Sequence, residues 1–151
     1  MKIRQANKFD QEQVFRMLRS YRNASPIRLL DHSDNEEHIS KLFNSILHGR
    51  GVVLLAEKDT EIVGMLMAVI DQNIWDPEVL IMRELAYWVD EEHRGSTAGY
   101  RLLAEYKKFG EELVLDGRIK AIALSKMVSS PDLKYNKFGF DKLEETWVAG
   151  V

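Results

Sequence analysis

A mixed α/β fold, in the order β-α-α-β-β-β-α-β-α-β, is predicted by three observations on this sequence. Residues Arg83 to Leu103 read as an apolar strand, a short charged loop carrying Gly95 and Gly99, and then a helix. Ahead of them lie two amphipathic stretches with helical spacing, which Gly49 and Gly51 separate from two runs of strand character. The crossover from residue 89 to residue 119 is long enough to hold the helix, so the strands on either side become parallel neighbours.

Each element has its own signal. Residues 2 to 6 alternate as a strand, and a helix follows from Asp10, with Val14, Leu18 and Tyr21 on one stripe and Asp10 and Gln13 spaced as a capping box. Ser25-Pro26 stops it. A second helix runs from Ser33 or Asp34 to about Leu47, burying Ile39, Phe43 and Ile46. Strands at 52–57 and 61–70 form a hairpin around Lys58-Asp-Thr-Glu61, with Gly64 marking a bulge or a close backbone approach. An irregular piece containing Trp75-Asp-Pro77 leads to a strand at 80–89. The next helix, 97–115, ends at Asp116-Gly117 and gives way to a strand at 118–124. Ser129-Ser-Pro131 opens a last helix around Tyr135, which Gly139 closes, and the final strand is expected at 140–148.

Composition excludes several classes of function. With 151 residues, 45% hydrophobic and 30% charged, the chain suits one globular domain over 1–151. No repeat, low-complexity tract or linker divides it. No apolar run approaches the roughly 18 residues that span a bilayer, and Met1-Lys-Ile-Arg enters a strand without a signal core, so a cytoplasmic location and no membrane partner are expected. The absence of cysteine removes disulfides, thiolate metal sites and cysteine nucleophiles. His32, His38, His48 and His93 lack metal-ligand spacing, so no metal is expected. A net charge of −3 argues against a general grip on nucleic acid.

The Arg83–Leu103 segment makes an anion cradle. Glycines let backbone approach a ligand, and the unpaired amides of a helix's first turn point at it with roughly half a positive charge. The familiar nucleotide loops fit poorly, because no Lys follows Gly99 and only the spacing Gly95-x-x-x-Gly99 occurs. A hydrolase elbow of the form G-x-S-x-G is also missing, since Ser96 directly follows Gly95.

Arg94-Gly-Ser-Thr-Ala-Gly99 instead resembles motif A, [QR]-x-x-G-x-[GA], of the GNAT superfamily of acyl-CoA-dependent N-acetyltransferases. Its first and last positions match, and Thr97 replaces the middle glycine. Leu133-Lys-Tyr-Asn-Lys-Phe-Gly-Phe140 resembles the superfamily's motif B, L-Y-x-x-x-G-F, with Tyr135, Gly139 and Phe140 aligned. The two motifs, in order and separated by a helix and a strand, extend the resemblance over most of the chain. The resemblance implies the GNAT fold and acetyl-CoA as cosubstrate. It places the coenzyme pyrophosphate against Gly95 and on amides of Ser96, Thr97, Ala98, Gly99 and Tyr100, with Arg94 on phosphate. It also places the thiol-bearing arm along Tyr87, Trp88 and Val89, between two splayed parallel strands. Thr97 either crowds the pyrophosphate or donates its hydroxyl to it.

Acetyl transfer to an amine needs a neutral amine, a held carbonyl and a proton for the departing thiolate. By resemblance Tyr135 is the proton donor, its phenol being matched in basicity to a thiolate; the alternative is a tyrosine merely packed on its helix. Glu84 is the candidate base, a carboxylate in an otherwise apolar strand, which alternation places on the face of Ala86 and Trp88. A salt bridge or a water-facing strand edge would explain it equally. Arg101 lies within reach of the ligand or of solvent, Asp90-Glu91-Glu92 reads as a solvated loop, and Trp75, Trp88 and Tyr87 either line an acceptor pocket or fill the core.

The expected function is therefore N-acetyl transfer from acetyl-CoA to a primary amine, on a small molecule or a protein. Asp31, Asp34, Glu36 and Glu37 would suit a cationic acceptor. Family members often dimerise, so a homodimer is a further expectation. Thr97 supports a second reading, a catalytically inactive GNAT-fold binding or structural protein; the motif variant is similar to small phage-associated members.

Overall fold

The computed structural model describes residues 1–26 and 34–150. Strand β1 (Lys2–Gln5) leads through a single turn to α1 (Gln11–Asn23), and α2 (Glu36–Ser45) follows. Strands β2 (Gly51–Lys58), β3 (Glu61–Gln72) and β4 (Leu80–Val89) come next, then α3 (Ala98–Leu115) and β5 (Ala121–Ala123). The five strands lie in sequence order in one sheet, antiparallel throughout except for the parallel pair β4–β5. This is the expected fold class.

Alternation along the strands builds two cores. Val52, Leu54, Leu66 and Ala68 face α3 and pack on Leu102, Leu103 and Leu113. Val53, Leu55, Met65 and Met67 face the other way, onto Val14, Phe15 and Met17 of α1 and Phe43 of α2. With both faces covered, β2 and β3 read as nearly continuous apolar runs. The hairpin turns tightly at Asp59 and Thr60, both at positive φ, which matches the twist of the strands.

Local chemistry at the first helix differs from the expected Asp10–Gln13 box. Asn7 caps the preceding turn, accepting from the Phe9 amide, while Asp10 accepts from the Asn7 amide and takes two hydrogen bonds from Arg4, at 2.8 and 2.9 Å. Gln13 turns instead to Arg16. Asn35 caps α2 through the His38 amide; Asp31, His32 and the expected start at Ser33 lie outside the described residues.

Two C-terminal expectations need correction. The helix around Tyr135 is one tight turn, Tyr135–Phe138, because Lys134 and Gly139 on either side are left-handed, with φ of 57° and 86°. Residues 140–148 form no strand, and 141–150 are exposed. With β5 only three residues long, its outer edge offers few ladder bonds to offset the ordering of another strand.

Candidate functional site

The site begins where β4 and β5 part. Ile81, Met82 and Arg83 pair with Ala121, Ile122 and Ala123, and beyond Arg83 strand β4 runs on to Val89 without a strand partner on that side among the described residues. The Asp90 amide donates to the Val63 carbonyl on β3. Backbone groups alternate in direction along a strand, so Tyr87 and Val89 turn their N–H and C=O to the open edge. The Arg94 Nε–H, donating to the Val89 carbonyl at 2.9 Å, marks that direction.

A bulge in β4 decides where Glu84 lies. Ala68 pairs with Glu84 and Met67 with Ala86, leaving Leu85 unpaired. Alternation is thereby broken: Glu84 stands opposite Ala68, a residue of the α3-side core, rather than on the face of Ala86 and Trp88. Its Oε2 accepts from the Ser125 amide at 3.0 Å. Oε1 bonds to no described residue, yet is not sealed from solvent, although the residue as a whole is only 6% exposed. Burial pushes the Glu84 carboxyl up to about 7, against the Ser125 bond, which favours the charged form.

Four phenols surround this carboxylate closely enough to feel its charge. Burial, then Glu84, raises Tyr21 of α1 to about 12. Tyr87 and Tyr106 are pushed higher still by burial, with Glu84 adding to both and Tyr135 adding to Tyr87. Tyr135 is raised by burial, then by Asp132 and Glu84. The tight turn thus brings Tyr135 into the field of Glu84 and Tyr87.

Above this cluster lies the loop into α3. The Ser96 hydroxyl donates to the His93 carbonyl at 2.6 Å and offers its oxygen to the Ala98 amide at 3.3 Å. The amides of Thr97, Gly99 and Tyr100 have no acceptor among the described residues, as expected for a helix's first turn. A side chain at Gly95 would enter open space. Thr97 holds an ordinary backbone conformation (φ −83°, ψ 2°) that does not call for glycine. Beneath the turn the Tyr87 hydroxyl donates to the Gly99 carbonyl, and Tyr100 stacks on Phe138 at 6.3 Å, joining the two motifs.

Several expected site residues have other partners. Arg94 stacks on Trp88 at 4.4 Å, so Trp88 and the arginine brace the loop from the α1 side. The Trp88 indole N–H donates to Asp90 at 2.9 Å, and Arg16 bonds the same carboxylate. Asp90 is therefore a structural tie and not part of a solvated run. Arg101 donates to the Met1 carbonyl. Trp75 lies in the β3–β4 turn, a strand's length from the site, and is 88% exposed. Asp34 and Glu36 are paired with Arg19, Asp34 also with Arg22, and Glu37 with Lys41, so these acids are neutralised in place.

A sequence model described as the Acetyltransferase (GNAT) family matches residues 14–140. The chain belongs to that family. GNAT-like architecture recurs in solved structures. A GNAT family acetyltransferase from Staphylococcus aureus is 22% identical, with a TM-score of 0.62 over 99% of this chain and 98% of that one. An aminoglycoside acetyltransferase from an uncultured soil metagenomic sample is 17% identical, with a TM-score of 0.67 over 99% and 93%. A Bacillus halodurans protein described as a transcriptional regulator is 19% identical, with a TM-score of 0.67 over 99% of each chain. At these identities the likeness is one of fold. Among curated proteins no relative matches the sequence.

GNAT acetyltransferases use acetyl-CoA as cosubstrate, and this chain's residues fit one. Three unpaired amides at a helix start suit a pyrophosphate, the open Gly95 surface admits it, and the unpaired β4 edge offers backbone donors and acceptors to an amide-bearing arm. No group of acids and histidines with metal-binding geometry occurs among the described residues, and no described helix is long and apolar enough to cross a membrane. The sequence reading missed Ser125 and Tyr106. Neither belongs to a motif, and only the parting of the strands gives them a role.

Proposed function

We propose that this GNAT domain, spanning residues 1–151, is an acetyl-CoA-dependent N-acetyltransferase of the cytoplasm that acts on a primary amine. The observation that carries the reading is Glu84: a buried carboxylate anchored by one oxygen, with the other free beside an unpaired strand edge and its pKa lifted to about 7.

When bound, acetyl-CoA supplies an acetyl group activated as a thioester. Thr97, Gly99 and Tyr100 would hold the pyrophosphate on their amides, and Arg94, whose Nε is taken by the Val89 carbonyl, would offer its terminal nitrogens to phosphate. The outward amides of Tyr87 and Val89 would bind the arm and polarise the acyl oxygen. Glu84 Oε1 accepts a proton from the incoming ammonium, because a carboxyl near pKa 7 is a far stronger base than one near 4.5 and is still half ionised at neutral pH. Tyr135 keeps its proton on Oη to high pH and serves as the donor to the leaving sulfur.

Calorimetric titration tests the reading, using acetyl-CoA, coenzyme A and adenosine 3′-phosphate 5′-diphosphate, which is coenzyme A without the pantetheine arm. Micromolar binding that needs the arm is expected, and turnover of an amine panel follows from it. Absence of any binding would overturn the proposal and leave the inactive GNAT-fold reading.

A further inference from the structure

Arg94 stands at the end of a continuous run of contacts that starts on α1. There Arg16 engages every nitrogen of its side chain. Its Nε donates to the Gln13 side chain at 3.0 Å, and Nη1 and Nη2 donate to the two Asp90 carboxylate oxygens at 3.3 and 3.2 Å. Nη2 also donates to the Ile62 carbonyl at 3.1 Å. Asp90 is tied through its backbone as well, its amide donating to the Val63 carbonyl and its carbonyl accepting from the His93 amide, both at 2.9 Å. Asp90 Oδ1 accepts the Trp88 indole N–H at 2.9 Å, which fixes the rotation of that ring. Over the ring lies Arg94 Cζ, 4.4 Å from the centroid, while Arg94 Nε donates to the Val89 carbonyl at 2.9 Å.

An exposed arginine ordinarily samples many rotamers, and a phosphate that binds it must first order it. Arg94 is exposed, yet it is held at two points, and its terminal nitrogens bond to nothing among the described residues. Its side chain is therefore arranged before a ligand arrives, so the ordering cost falls on folding instead of on binding. A cation is held by an indole only while the ring keeps its face to it, so the hold on Arg94 depends on what holds Trp88. Asp90 holds Trp88, and both oxygens of the Asp90 carboxylate are held by Arg16.

We propose that Arg16, acting through Asp90 and Trp88, is a positioning residue that fixes the Arg94 guanidinium for a phosphate group bound at the Gly95–Gly99 loop. That this phosphate belongs to coenzyme A rests on the acetyl-CoA reading above; the bracing of Arg94 does not. Arg16 bonds to no residue of 94–99 and is not a catalytic residue.

A double-mutant cycle tests the role. Arg16→Met keeps the apolar stem and removes the guanidinium, while Trp88→Phe keeps an aromatic face and removes the N–H that Asp90 accepts. Each is titrated with coenzyme A, alone and combined with Arg94→Met. Arg94→Met should weaken binding about tenfold or more, the usual size for charge-assisted hydrogen bonds. Arg16→Met and Trp88→Phe should each weaken it at least about threefold, and neither should weaken it further once Arg94 is Met. A long-range effect of the Arg16 charge, or a merely structural role, would give the same fractional loss in both backgrounds. That result, or no loss in the first background, overturns the proposal. Should Arg16→Met not fold, Trp88→Phe carries the same expectations. If the wild-type protein binds no coenzyme A, the acetyl-CoA reading fails and the bracing of Arg94 is decided by NMR. The Arg94 Nε proton should exchange slowly in the wild type and several times faster in the variants, and equal rates overturn the proposal.

Discussion

Glu84 of β4 and Ser125, two residues past the end of β5, are joined by a side-chain-to-backbone hydrogen bond of 3.0 Å. That bond fixes one carboxylate oxygen and leaves the other at the open strand edge. A residue that would be an anomaly inside a continuous sheet is thereby anchored where two strands part.

The raised pKa of Glu84 gives two linked expectations. The folded state binds a proton between pH 4.5 and about 7 that the unfolded state has already released, so this group's contribution to stability is complete below 4.5 and lost as pH rises through 7. Glu84→Gln should accordingly melt higher than wild type above pH 7, by up to about 3 kcal/mol, with the gain vanishing near pH 4.5. The same variant should lose most turnover, and the rise of kcat/KM through pH 7 should disappear. Thermal melts and pH–rate profiles of both proteins check this; a profile unchanged by the substitution would remove Glu84 as base.

Tyr135→Phe removes the proposed proton donor and keeps the ring. Turnover should fall roughly 100-fold or more, the usual range for general acid catalysis, with coenzyme binding nearly unaffected. Equal turnover would exclude Tyr135 from proton transfer.

Asp10 has the opposite pH behaviour. The Arg4 guanidinium, then the Asn7 amide, hold its carboxyl below the usual range despite burial, so its stabilisation is present above its unfolded pKa and lost as pH falls through the folded one. Asp10→Asn should cost about 1–3 kcal/mol at pH 7 in urea denaturation, shrinking toward zero at the acid end. A constant difference across pH would show that the ion pair is not its source.

Gly110→Ala should destabilise by roughly 1–3 kcal/mol, since the new methyl meets Ile122 at 2.5 Å and Met82 at 3.1 Å. Ala is ordinarily the better helix residue, so a stabilised variant would mean that α3 and β5 can move apart freely.

Much of this was legible without coordinates. Apolar periodicity located α1, α2 and the β2–β3 hairpin, because one face of each helix and both faces of the strands are buried in only one way. Arg94–Gly99 and Tyr135–Gly139 were recognisable because a helix start that leaves its amides free, and a turn closed by a left-handed glycine, constrain residue type locally. Tertiary structure decided the rest. A bulge at Leu85 reversed the expected face of Glu84, since one unpaired residue inverts a period of two. Neutralisation of Asp34 by arginines of α1, removal of Trp75 from the site, and the absence of strand pairing at 140–148 all depend on which distant groups come within bonding distance. The meeting of Tyr106 with Ala123 and of Glu84 with Ser125 is of that kind: hydrogen bonds between residues remote in sequence leave no periodic trace, and only packing α3 against the end of the β4–β5 ladder creates them.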